Sequence, residues 1–249
     1  MKVVIIAGGL GTRISEETED KPKPMVLINN KPIIWHLMNI FCLQGLNDFI
    51  ISTGYKSEVI ETWVNQNEIL DSRFKKMNIE TINTGLRTQT GGRISEVMKA
   101  LPKESVIATY GDGLANVSVN KLLDFHTRHG KLATVTAVRP PARFGYMKIE
   151  RNTVTHFGEK NQSDEGWING GFFVLEPEVA DYVKSLDEPF ESGALVQLAN
   201  ESNLMAYHHE GFWQPMDTLR EKRELERDAL LEIPPWLNFK TLGMNLSGQ

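Results

Sequence analysis

The sequence predicts an α/β fold, a mostly parallel mixed sheet flanked by helices, with small antiparallel additions in the second half. Three observations predict it. The chain opens on Lys2–Ala7, an apolar and mostly β-branched run, and passes at once into Gly8-Gly9-Leu10-Gly11. From there to about residue 140, strand patterns alternate with helical ones, an order that implies parallel pairing through right-handed crossovers. Beyond residue 140 the texture changes to short, closely spaced strands, which fits late antiparallel additions.

The first strand is Lys2–Ala7. The segment Gly8–Lys31 reads as a long loop. Ser15-Glu16-Glu17 marks the start of a helix or helical turn inside it. Lys21-Pro22-Lys23-Pro24 is expected to be extended, because its prolines exclude regular helix. A helix is predicted from about Pro32, favourable in a first turn, to Leu43, with Gly45 as its stop. Ile33, Leu37, Ile40 and Phe41 share its apolar face. Asp48–Thr53 is a strand, Lys56–Asn67 a helix and Ile79–Asn83 a third strand. Thr84–Arg93 reads as a polar, glycine-containing loop, with a helix over Gly92–Leu101. Val106–Tyr110 is apolar enough to be a central strand. Val119–His129 is a helix and Leu132–Arg139 a strand.

In the second half, Met147–Glu150 and Thr153–Phe157 form a predicted hairpin around Arg151-Asn152. Gly171–Leu175 is a strand, Pro177–Ser185 and Phe190–Glu201 are helices, and Leu204–His209 is a strand. Trp213–Asp217 closes the pattern. Thr218–Leu231 is a charged helix that Pro234-Pro235 terminates. No internal repeat, low-complexity stretch or flexible linker interrupts the 249 residues.

Composition narrows the function. With 41% hydrophobic and 24% charged residues the chain has ordinary globular content. A formal net charge of −5 argues against a non-specific nucleic-acid binder. A polyphosphate ligand must then meet a local basic site, a metal ion, or both. The single cysteine, Cys42, excludes an intrachain disulfide framework and reads as a buried thiol in a helical pattern. No apolar run is long enough to span a membrane, and the N-terminal run is far shorter than a signal peptide's core. A cytoplasmic location is expected, with no membrane partner.

The strand-to-glycine junction at Gly8–Arg13 suggests a phosphate-binding loop. Glycine lets backbone amides approach an anion, and Arg13 adds a planar, permanently charged fork. The spacing is neither G-x-G-x-x-G nor a Walker A loop. A tight turn with structural glycines remains the alternative. Asp112, in Gly111-Asp112-Gly113 at the end of an apolar strand, is suited to hold Mg²⁺, although Asp-Gly turns are common at strand ends. Asp217 is either the N-cap of the last helix or a second metal ligand. Lys23, between two prolines, is a candidate fixed cation rather than a solvated lysine. Glu159 and Lys160 follow a predicted strand and suit a polyol hydroxyl and a phosphate, or form a rim ion pair. Asn169-Gly170-Gly171 is a backbone-exposing turn. The six histidines lack metal-site spacing.

In order along the chain, five blocks carry a resemblance: Gly8–Arg13, Lys21–Met25, Gly111-Asp112, Glu159-Lys160 and Asn169–Phe172. Together they resemble the sugar-1-phosphate nucleotidylyltransferases. Ser15–Thr18, Thr90–Arg93, Tyr110–Gly113, Asn169–Val174 and Gly211–Thr218 are similar to the glucose-1-phosphate cytidylyltransferase branch. The likeness spans Met1 to about Trp236. It implies a Rossmann-like fold of the nucleotide-diphospho-sugar transferase type and one nucleotidyltransferase domain over 1–249. Residues 1–140 would form the nucleotide half, 141–236 the sugar-phosphate half, and 218–249 a C-terminal helix and tail.

The implied reaction transfers a cytidylyl group from CTP to a sugar 1-phosphate, with glucose 1-phosphate expected, and releases pyrophosphate. The resemblance implies that Ile6, Ala7, Gly8, Gly9, Leu10 and Gly11 meet the nucleotide, and Thr12 and Arg13 the leaving phosphates. It makes Arg13 and Lys23 catalytic, and gives Thr88, Arg93 and Gly111 to the nucleotide. Asp112 and Asp217 would carry Mg²⁺, while Gly145, Glu159, Lys160, Asn169 and Gly170 would face the sugar phosphate. A homo-oligomer is expected. The chain departs from the family at Asn161, where proline usually follows Glu-Lys, and in a shorter stretch from Gln66 to Thr84. Another nucleotide or sugar phosphate, or a non-catalytic nucleotide-sugar sensor, are the competing readings.

Overall fold

A computed structural model of the chain describes residues 1–70, 77–140, 145–159 and 166–239. In chain order the strands are β1 (Val3–Ile6), β2 (Leu27–Ile28), β3 (Lys31–Pro32), β4 (Asp48–Thr53), β5 (Asn78–Asn83), β6 (Val106–Tyr110) and β7 (Gly113–Ala115). They continue with β8 (Ala133–Val138), β9 (Gly145–Glu150), β10 (Thr153–Glu159), β11 (Ile168–Leu175), β12 (Leu204–His209) and β13 (Trp213–Pro215). The helices are α1 (Ser15–Thr18), α2 (Ile33–Cys42), α3 (Ser57–Leu70), α4 (Thr90–Ala100), α5 (Val119–His129), α6 (Ala194–Asn200) and α7 (Leu219–Asp228).

Seven strands form the main sheet in the order β12-β8-β11-β6-β1-β4-β5. β1 pairs in parallel with β4 and β6, and β4 with β5. β11 runs antiparallel between β6 and β8, and β12 pairs in parallel with β8. The predicted mixed sheet is therefore present, with small two-stranded sheets β9–β10, β7–β13 and β2–β3 beside it.

Alternation along β1 explains the layering. Val3 and Ile5 point into a core shared with Ile33 and Leu37 of α2, Leu122 of α5 and Trp236. Val4 and Ile6 point into a second core with Ile94 and Val97 of α4, Phe190 and Leu198. Three of the four β1 side chains have no exposed surface, and Ile6 has 8%. A strand buried on both faces needs this uninterrupted apolar run. Among the described residues no helix is long and apolar enough to cross a membrane.

Several local expectations are corrected. Lys23–Met25 is not extended but closes a 3-10 turn, since proline is tolerated in a first turn. Thr90–Arg93 is not loop but the first turn of α4. Its two glycines are required there: a Cβ on Gly91 would lie 2.6 Å from the Glu188 carbonyl oxygen, and one on Gly92 2.4 Å from that of Leu186. Pro177–Tyr182 is a 3-10 segment rather than a helix to Ser185, and α6 begins only at Ala194. Within the expected loop Gly8–Lys31, α1 is the anticipated helical turn while β2 is unexpected, and β13 pairs with β7, a strand the local pattern does not reveal.

Candidate active site

The carboxyl ends of β1 and β6 open into a cavity of about 530 Å³. The glycine loop, α4's first turn, Tyr110–Gly113, Ile168–Gly170 and the segment ending at Asp217 line it. Such a location, beyond the strand ends, is where α/β sheets gather ligands.

Gly8 sits under the loop. Its carbonyl accepts from the Arg93 Nη2 (2.9 Å) and from the Tyr55 amide (3.2 Å). Arg93, only 2% exposed, also donates through Nη1 to the Thr53 carbonyl (2.8 Å) and Thr84 Oγ1 (2.6 Å). One guanidinium thus ties together the ends of β1, β4 and β5. Burial lowers its pKa, with Glu96 acting in opposition. A Cβ on Gly8 would lie 2.1 Å from Arg93 Nη1, so no larger residue fits without moving that group. Gly11 takes φ +65°, the left-handed region glycine tolerates, and turns the chain into Thr12–Ile14.

Four charged side chains converge at the mouth. Lys23 is 7% exposed, and its Nζ donates to Asp112 Oδ2 (2.6 Å) and Asp217 Oδ1 (2.5 Å). Arg13 Nη1 donates to Asp217 Oδ2 (2.7 Å). Burial alone would lower the lysine's pKa, but the Asp112 and Asp217 carboxylates outweigh it and hold it above the ordinary value. Asp112 follows β6, where the Gly111 amide donates to the Ile6 carbonyl (3.0 Å). The β7–β13 pair, with Pro215 opposite Gly113, carries Asp217 to it.

α7 shows that Asp217 is not the N-cap. Thr218 is the N-cap: its Oγ1 accepts from the Glu221 amide (3.2 Å), while Glu221 Oε2 accepts from the Thr218 (2.9 Å) and Asp217 (2.7 Å) amides. Capping is done by the next residue, and the Asp217 carboxylate is left to the cavity. Asp112 and Asp217 are hard oxygen donors that already flank one cation, the lysine ammonium, and thus fit a divalent ion that takes one or two carboxylates. Among the described residues no third acidic, His or Cys ligand joins them.

Of the other expected site residues, Ile6, Ala7, Gly9, Thr12, Thr88, Gly111, Asn169 and Gly170 line the cavity. Leu10 is 52% exposed at the loop's outer side. Gly145 and Glu159 stand opposite each other across the β9–β10 hairpin. Lys160 and Asn161 lie outside the described residues.

The structure adds residues to which the sequence assigns no role in the site: Thr90, Tyr110 and Trp213, which lie in the resembling blocks, and Glu191. Tyr110's hydroxyl donates to Glu191 and accepts from Asn169 Nδ2 (3.3 Å). Burial raises its pKa, reinforced by Glu191, so it stays a neutral phenol. Gly171 takes φ +81°, and a Cβ there would meet the Tyr110 ring at 2.5 Å. Trp213 Nε1 donates to the Gly170 carbonyl (2.9 Å). These contacts are long-range, and no local pattern announces them.

The family model described as nucleotidyl transferase matches residues 2–218. The chain is 45% identical to the glucose-1-phosphate cytidylyltransferase of Salmonella typhi, over 96% of this chain and 100% of that protein. It is 31% identical to the D-glycero-alpha-D-manno-heptose 1-phosphate guanylyltransferase of Aneurinibacillus thermoaerophilus, over 76% and 80%. Among solved structures, HddC from Yersinia pseudotuberculosis, complexed with GMP-PN, is 23% identical. It superimposes with a TM-score of 0.69 over 91% of this chain and 98% of that one, a likeness of fold.

Proposed function

The chain belongs to the nucleotidyl transferase family, and on that premise we propose that it transfers a cytidylyl group from CTP to glucose 1-phosphate. The observation that carries this reading is the meeting of Arg13, Lys23, Asp112 and Asp217, from four separate segments, at the mouth of a glycine-lined cavity.

In the reaction a phosphate oxygen of the sugar phosphate attacks the α-phosphorus of CTP. The new P–O bond forms as the bond to the bridging oxygen breaks, and pyrophosphate leaves with the electron pair. The nucleophile is already an anion, so no general base is needed. In-line placement and charge neutralisation carry the rate. Lys23 binds the reacting phosphates, and Arg13, 72% exposed at its side chain, follows the leaving pyrophosphate. The loop amides of Ala7–Gly11 grip the nucleotide, Thr88 and Gly111 flank it, and Arg93 holds it by fixing Gly8 from beneath. Gly145, Glu159, Lys160, Asn169 and Gly170 face the sugar phosphate.

Family members generally use a divalent metal, and Mg²⁺ is proposed here, held by Asp112 and Asp217. Bound there, it would supply positive charge against the triphosphate oxygens. The division of labour is a nucleotide half over 1–140, a sugar-phosphate half over 141–236 and a C-terminal helix and tail, in a cytoplasmic homo-oligomer.

The test is incubation with CTP, Mg²⁺ and glucose 1-phosphate, reading pyrophosphate and CDP-glucose. A panel of nucleotides and sugar phosphates sits beside it. The reading is abandoned if another pair gives a higher kcat/KM, or if none releases pyrophosphate.

A further inference from the structure

We propose that Glu191, fixed between Tyr110 and Thr90 on the cavity wall, reads the nucleobase by accepting a hydrogen bond from the exocyclic amine of cytosine. This rests on the cytidylyl-transfer reading and names what selects CTP over UTP.

Three carboxylates line the cavity among the described residues. Asp112 and Asp217 face Lys23 and Arg13. Glu191 instead carries two neutral donors, the Tyr110 hydroxyl on Oε1 and Thr90 Oγ1 on Oε2 (2.8 Å). Each carboxylate oxygen offers two lone-pair sites, so each keeps one acceptor position. Among the described residues no ion pair neutralises Glu191, so its charge repels a phosphate, and the partner it suits is a neutral N–H or O–H donor.

Its place is rigid: Thr90 joins it to the stretch proposed to serve the nucleotide, and Tyr110 links it to Asn169. The segment before Glu191 is stitched to the start of α4. The Gln89 amide donates to the Leu186 carbonyl (2.8 Å), Gly91 to Glu188 (3.1 Å), and the Phe190 amide to Thr90 Oγ1 (2.8 Å). The contact is so close that Gly91 admits no Cβ. Thr88 and Arg93, proposed to serve the nucleotide, belong to the same stretch. Cytosine and uracil differ at C4, where one presents an amine donor and the other a carbonyl acceptor. A carboxylate attracts the first and repels the second, so one group supplies both affinity and rejection.

The test compares the wild type with Glu191→Gln and Glu191→Ala, using kcat/KM for CTP and UTP at saturating glucose 1-phosphate, and KM for glucose 1-phosphate at saturating CTP. Calorimetric binding of CTP and UTP gives a readout independent of turnover, and melting curves check folding. We expect the CTP/UTP ratio to fall on the order of 10- to 100-fold in both variants, as for loss of a hydrogen bond to a charged group, with the glucose 1-phosphate KM unmoved. A wild-type ratio near one overturns the reading of the whole site and this inference with it. A high wild-type ratio that survives both substitutions, or a change confined to the glucose 1-phosphate KM, overturns this inference alone and assigns Glu191 to the sugar side.

Discussion

At the scale of single residues, Lys23 occupies the place where opposite needs meet. Its ammonium separates two carboxylates at 2.6 and 2.5 Å, and in the proposed reaction it also binds phosphate. Replacing it with an uncharged chain of similar length, Lys23→Met, removes the cation that Asp112 and Asp217 share and leaves only Arg13 on Asp217. We expect a loss of about 1–3 kcal/mol, because both carboxylates remain partly solvated. Turnover should fall on the order of 10²–10³. The same substitution makes the site hungrier for a divalent ion, so Mg²⁺ should raise the variant's melting temperature more than the wild type's. Equal Mg²⁺ responses would refute the shared-cation account. Gly8 offers a second residue-scale case. Gly8→Ala should destabilise by about 1–3 kcal/mol through overpacking against Arg93. Combined with Arg93→Met it should cost less than the two separate losses added, because both break one contact. Strict additivity in urea unfolding would show that the contact is not shared.

At the scale of elements, α7 does two things with one turn. Its capping box secures the helix, and the same Glu221 carboxylate holds the Asp217 amide. Thr218→Ala should therefore lower stability by about 0.5–2 kcal/mol, and it should also loosen Asp217 and weaken Mg²⁺ dependence of turnover. A variant that melts earlier but keeps the wild-type Mg²⁺ titration would limit Thr218 to capping. This helix was legible in the sequence because caps and charge patterns are local. So were Asp48–Thr53, Val106–Tyr110, Val119–His129 and Leu204–His209, whose bounds the structure reproduces. The start of α4 was not. Gly91 and Gly92 read as loop by propensity, but they are there because Leu186 and Glu188 pack against the helix backbone. Short pairings such as β7–β13 have too few residues to show a period. The glycine loop with Arg13, Lys23 and Asp112 stood out as charges beside glycine or proline, and Asp217 as a carboxylate at the start of the last helix. Glu191, Tyr110 and Thr90 meet only through contacts 81 and 101 residues apart, which no window along the chain contains.

At the scale of the whole molecule, the segment that holds Trp236 returns to α2 and shares its core. Trp236 is fully buried and lies edge-on to His36 of α2, with ring centroids 5.5 Å apart. Trp35 meets the same imidazole from another side at 5.1 Å, and His36 Nε2 lies 2.9 Å from the Ile28 carbonyl. His209, 3% exposed at the end of β12, has Nε2 3.1 Å from the Phe212 carbonyl. Burial pushes both imidazoles below the ordinary value of 6.5, with the backbone carbonyls opposing it and Lys31 adding to it at His36. A base whose folded pKa is depressed binds fewer protons folded than unfolded. Its contribution is complete above the unfolded value of about 6.5 and declines as the pH falls below it, until the folded pKa is reached. Each such group can take away up to about 1.4 kcal/mol per pH unit within that window. The chain should thus hold a flat urea stability from pH 8 to 7 and lose it from pH 6.5 downward, before most carboxylates titrate. In His36→Gln the side-chain amide can still donate to the Ile28 carbonyl but takes up no proton. Its stability should be lower at pH 7.5 and fall less steeply between pH 6.5 and 5.5. If the variant and the wild type lose stability with the same slope, the buried imidazole is not what couples the C-terminal closure to acid.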